Sequence, residues 1–136
     1  MTKKKPSRKA IVKKLDRVFS QWVRAKHMDD AGYIECYTCE IRKPFNEIQA
    51  GHFMSRRSYA TRWQEDPPNV MPQCQSCNIF SQGKSWQFGQ RLDREFGQGT
   101  ANSLYHLSQT TVKFTNQELL DKIDEYQEKL TDLNLL

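Results

Sequence analysis

Two Cys-x-x-Cys pairs, Cys36/Cys39 and Cys74/Cys77, separated by 34 residues, constrain this chain more than any other feature. Each pair can turn a tight knuckle that aims two sulfurs at one tetrahedral ion, so the four thiolates predict a single structural Zn²⁺ with Zn–S distances of about 2.3 Å. A redox pair would want a thioredoxin-like βαβ context, which the flanking sequence lacks. A disulfide framework suits secreted chains. No apolar signal-peptide core follows Lys3-Lys4-Lys5, and no apolar run is long enough to span a bilayer, so the chain is expected to be soluble and cytoplasmic, with no membrane partner. The staple is needed, because 136 residues make one ordinary domain and only 37% of them are hydrophobic. With all four zinc positions filled by protein, any chemistry must lie beside the metal.

Charge is unevenly spread. Residues 1–63 carry 15 Lys/Arg against 6 Asp/Glu, whereas residues 64–136 carry 6 against 10. The first fourteen residues hold Lys3, Lys4, Lys5, Arg8, Lys9, Lys13 and Lys14 and no acid, which favours a polyanionic partner such as nucleic acid over a neutral one. A solubilising arm would carry the same charge, so other features must decide.

Apolar residues from Ile11 to Val23 recur at spacings of three and four, predicting an amphipathic helix from about Ser7, its cap, to His27. Residues 33–53 read as brief strands flanking the first knuckle, in a β-hairpin. Residues 54–73 read as loop. A helix can begin at Asn78, a second runs from about Trp86 to Phe96 and stops at Gly97, and a short one follows near 101–108. Thr115-Asn-Gln-Glu118 is a capping box that opens a final helix with a stripe of Leu119, Leu120, Ile123, Tyr126, Leu130 and Leu133. That stripe can pack on the domain or pair with a second subunit. Trp63, Trp86 and Phe88 are expected in the core, and His27 and His106 have no assigned role. The fold class is α+β, divided into a basic N-terminal arm and helix (1–28), a zinc-bound core (29–97) and a C-terminal helical segment (98–136).

Between the knuckles lies Gln49-Ala-Gly-His-Phe-Met-Ser-Arg56, followed by Arg62-Trp63, Asn69-Val70 and Gln73-Cys-Gln-Ser-Cys-Asn78. The order His52, Asn69, Cys-x-x-Cys-Asn78 resembles the HNH, or His-Me finger, endonucleases. More narrowly, these segments are similar to the NinG/Rap recombination proteins of lambdoid phages, over about residues 10–97. The resemblance implies a ββα-metal core and a metal-dependent DNA endonuclease acting on branched DNA, such as Holliday junctions or forks, in phage recombination. It implies His52 as general base, Asn69 as the residue that fixes the loop and helps orient the ring, and Asn78 as an oxygen ligand to a catalytic Mg²⁺ or Mn²⁺. Arg56, Arg57 and Arg62, with Lys84 a weaker member, are the candidate DNA contacts, since guanidinium pairs bidentately with phosphate. Junction resolution needs two cuts, which implies a homodimer.

One departure stands out. Many relatives of that class carry an Asp or His directly before the base as a second metal ligand, and here Gly51 occupies that place. Glu47, Glu65 and Asp66 are open as substitutes, as is an ion held by Asn78, water and phosphate alone. The departure keeps a rival reading alive, a non-catalytic zinc module that binds nucleic acid. A protein-binding zinc domain of the RING or ribbon kind needs neither the basic half nor Asn78.

Overall fold

A computed structural model describes residues 5–134, so Lys3 and Lys4 of the basic arm lie outside the described residues. The elements are α1 (Arg8–Lys26), β1 (Tyr33–Glu35), β2 (Arg42–Pro44), β3 (Ile48–His52), α2 (Tyr59–Arg62), β4 (Val70–Cys74), α3 (Ser85–Phe96), α4 (Thr100–Ser108) and α5 (Asn116–Asn134). Ser7 caps α1, its hydroxyl accepting from the Ala10 N–H at 3.2 Å. The capping box of α5 closes both ways, with Glu118 N–H donating to Thr115 Oγ1 at 3.1 Å and Thr115 N–H to Glu118 Oε1 at 2.9 Å.

The α1 and α5 stripes meet each other. Ile11, Leu15, Val18, Phe19, Trp22 and Val23 pack with Leu119, Ile123 and Tyr126, and Trp63 and Val70 join the same cluster. Residues from all three sequence segments thus share one core. Leu119, Ile123 and Tyr126 of the α5 stripe are thus covered within the chain, whereas Leu120, Leu130 and Leu133 are partly buried.

β1 and β2 form an antiparallel hairpin around the first knuckle. β3 instead pairs antiparallel with β4, in the register Ile48↔Cys74, Gln49↔Gln73, Ala50↔Pro72, Gly51↔Met71 and His52↔Val70. The segment 54–73, expected as loop, therefore supplies a helical turn and most of a fully buried strand. Pro72 disguises the strand in the sequence. It is tolerated because its carbonyl accepts from Tyr37 N–H at 2.8 Å, on the side away from β3, where the missing N–H breaks no ladder bond.

After β4, a π-helical turn (Ser76–Phe80) carries Cys77 and Asn78. α3 then buries Phe88, Gly89 and Leu92. Trp86, expected in the core, is 70% exposed. Two residues are about 200° apart around a helix, so Trp86 and Phe88 cannot share a face. No helix among the described residues is long and apolar enough to cross a membrane.

Candidate functional site

The two knuckles converge. The Sγ atoms of Cys36, Cys39, Cys74 and Cys77 all lie within 4.8 Å of one another, with Cys39 and Cys74 3.7 Å apart. Tetrahedral Zn–S bonds of about 2.3 Å place sulfurs about 3.8 Å apart, so the spacing suits zinc. Local chemistry reinforces it. Burial pushes the Cys36 thiol up, but backbone N–H groups at Cys74 and Cys39 overcome this and bring it down to about 6. Desolvation pushes Cys39 up to about 12, with the sulfurs of Cys36, Cys77 and Cys74 adding, and desolvation also raises Cys77. A bound divalent cation would favour the thiolate forms at Cys39 and Cys77 that burial disfavours. The four cysteines thus form a site that can hold a structural zinc ion.

Beside this centre, a cavity of about 600 Å³ runs along β3, lined by Asp16, Ser20, Arg24, Gln49, His52, Arg56 and Asn78, among others. His52 closes β3 with its Nε2 buried and without a hydrogen-bond partner. Burial, with the Arg56 charge adding to it and Asp16 opposing, lowers its pKa to about 4. The lowered pKa keeps the ring neutral at physiological pH.

The loop after His52 is pinned by Asn69. Its Oδ1 accepts from Met54 N–H at 2.9 Å, its Nδ2 donates to Met54 O at 3.1 Å, and its own carbonyl accepts from Phe53 N–H at 2.8 Å. Asn69 is fully buried and touches the loop rather than the cavity. Asn78 donates Nδ2 to Gln49 Oε1 at 2.8 Å, leaving Oδ1 as the atom able to ligate a cation.

The arginines divide. Arg62 is spent internally: its Nε donates to Asp16 Oδ1 at 3.1 Å, its Nη2 to Asp16 Oδ2 at 2.5 Å and its Nη1 to Arg56 O at 2.8 Å. Arg56 and Arg57 are exposed. Arg56 lines the cavity, whereas Arg57 faces a separate depression with Ser58 and Ser108. Lys84 sits in a left-handed turn (φ 49°) before α3 and lines neither.

Two charged residues of the cavity, Asp16 and Arg24, lie outside the motifs. Asp16 is the one acid among the first 28 residues, and that isolation in a basic helix was the available signal. Arg24 belongs to the basic residues interleaved with the apolar positions of α1. Its guanidinium lies 4.4 Å over the Phe45 ring, and its Nε donates to Ser20 O at 3.2 Å. Burial lowers its pKa. None of the carboxylates considered as extra ligands reaches the cavity. Glu65 is held by Lys129 at 2.8 Å, Glu47 lines the neighbouring depression with Cys39 and Phe80, and Asp66 is exposed elsewhere.

A profile of the family described as Bacteriophage Lambda NinG protein matches residues 2–135. The chain belongs to the NinG family. No curated protein and no solved structure matches it. The match covers both knuckles, the cavity and the paired helices α1 and α5.

Proposed function

We propose that this NinG-family chain is a zinc-stapled, metal-dependent DNA endonuclease of the His-Me finger type, acting on branched DNA in phage recombination. The observation that carries the reading is that His52, neutral and with Nε2 unpartnered, lines the same cavity as Asn78 and two guanidiniums. The pairing of β3 with β4, followed by the turn that bears Asn78, fits a ββα-metal unit.

On this reading Arg24 and Arg56 draw the phosphate into the cavity and neutralise part of its charge. His52 Nε2 accepts the proton of the attacking water, general-base work for which a neutral imidazole is suited. Asn69 holds the loop so that the ring keeps its place. Asn78 Oδ1 would hold a Mg²⁺ or Mn²⁺, whose chemistry is to polarise the phosphate and stabilise the leaving oxygen. The zinc cysteines keep the strand pair and the turn in register.

A cleavage assay on linear, forked and four-way DNA, with and without Mg²⁺ or Mn²⁺, tests the reading against a His52→Ala variant. Metal-dependent cutting lost in the variant, strongest on branched substrates, is expected. A second reading, a zinc module that binds DNA without cutting it, draws on Gly51 and on Asp16, the cavity's acid, being committed to Arg62. Binding in every condition with no cutting would favour it.

A further inference from the structure

Gly51 leaves a slot, and Gln73 fills it. A Cβ built on Gly51 would lie 1.8 Å from Gln73 Oε1 and 2.6 Å from its Cδ. Gln73 is fully buried. Its Nε2 is satisfied twice, donating to Thr38 Oγ1 at 3.0 Å and to Gly83 O at 2.8 Å. A carbonyl can only accept, so these partners fix which end of the amide is nitrogen. The other end, Oε1, is buried with no hydrogen-bond partner. Buried polar atoms are rarely left unpaired, and this one is held in place at its nitrogen end.

Other side-chain amides share this face. Gln49 and Gln73 are cross-strand partners, and Gly51 and Met71 follow on the same face of the strand pair. Asn78 joins that face through its bond to Gln49. Gly83, which anchors Gln73, donates its N–H to Cys77 O at 2.8 Å, tying the same amide to the turn that carries Asn78. Carboxamide oxygens are ordinary ligands of Mg²⁺, Mn²⁺ and Ca²⁺.

We infer that Gln73 Oε1 is a ligand of a divalent-cation site shared with Asn78, supplying from β4 the oxygen that residue 51 does not carry. The inference rests on the nuclease reading and deepens it. A site of neutral amides adds no negative charge, so the cation is drawn in with the DNA phosphate rather than held tightly beforehand. Gly51 is then required for space, because any side chain there would displace the ligand.

The test is Mn²⁺ binding to the full, zinc-loaded chain, followed by electron paramagnetic resonance, without DNA and with a short duplex in a His52→Ala background that prevents cutting. Gln73→Met is expected to weaken Mn²⁺ binding roughly tenfold or more while zinc content is kept. Equal affinity in a folded Gln73→Met variant overturns the inference. If Asn78→Ala still loses the ion, the nuclease reading survives and Gln73 is a strut. No Mn²⁺ binding by unmutated residues 73 and 78, with or without DNA, removes the metal-dependent reading and this inference together. Where Gln73→Met fails to fold, Gly51→Asp combined with Gln73→Ser puts a carboxylate into the opened slot. It is expected to bind Mn²⁺ more tightly than Gln73→Ser alone, and equal affinity again overturns the inference.

Discussion

Asp16 holds Arg62 in a two-pronged ion pair and accepts from Trp63 Nε1 at 3.0 Å, joining α1 to the end of α2 beside His52. The two side chains keep 20% and 14% of their exposure. Removing the acid leaves a mostly buried guanidinium and an indole N–H without it, so Asp16→Ala is expected to cost about 2 kcal/mol in urea unfolding. A change within the error of the measurement would show that the pair is replaceable by solvent.

Asn69 links the two ends of the loop between β3 and β4. Asn69→Ala removes both side-chain bonds to Met54, leaving an amide N–H and a carbonyl in a part-buried setting. A loss of about 2 kcal/mol follows. Cleavage should fall with DNA affinity unchanged, because the residue bears on the loop rather than on phosphate. A variant that binds DNA much more weakly would give Asn69 a different role.

Zinc removal should act on the whole strand pair. Cys36, Cys74 and Cys77 are buried with Ile34 and Ile48, so the sulfur cluster forms part of a small apolar core as well as a metal site. Chelation, or Cys74→Ser, is expected to abolish cooperative thermal unfolding of the strand region. One zinc per chain should be lost with it. A zinc-free Cys74→Ser protein with an unchanged Tm would refute the staple.

Much of this was legible in the sequence, for identifiable reasons. α1, α3 and α5 announce themselves because capping and apolar periodicity are local signals, seen in the Ser7 cap and the Thr115–Glu118 box. The sulfur cluster was legible because Cys-x-x-Cys geometry is local to each knuckle. β4 was not, since Pro72 and the polar Gln73 hide a strand whose burial is decided by partners far along the chain. The cavity was read in part: His52 and Asn78 lie in motifs, whereas Asp16 and Arg24 reach it only because α1 folds across β3. Gln73 stood in plain sight inside the second motif, and nothing local distinguishes a buried amide from a surface one.

The arginines should separate in a salt titration. Arg56 and Arg57 are exposed, so replacing both with Ala is expected to weaken DNA binding and lower the slope of log affinity against log salt by about 2. Arg62→Ala should mainly cost stability, because its charge is already met by Asp16. A slope lowered by Arg62→Ala alone, in a protein that remains folded, would return it to the DNA interface.

The protonation of His52 gives a stability signature independent of cleavage. Its folded pKa, about 4, lies below the ordinary 6.5, so between these values the unfolded chain takes up the proton more readily than the folded one. The contribution is therefore complete above pH 6.5 and is lost as pH falls through 6.5 towards 4. From pH 7 to 4.5 the chain should lose roughly 2–3 kcal/mol more stability than a His52→Gln variant. Urea unfolding of both at saturating zinc measures the difference. Parallel pH profiles would mean that the ring is solvated in the folded chain, and a solvated His52 would lack the unpartnered, neutral nitrogen on which general-base chemistry in this cavity depends.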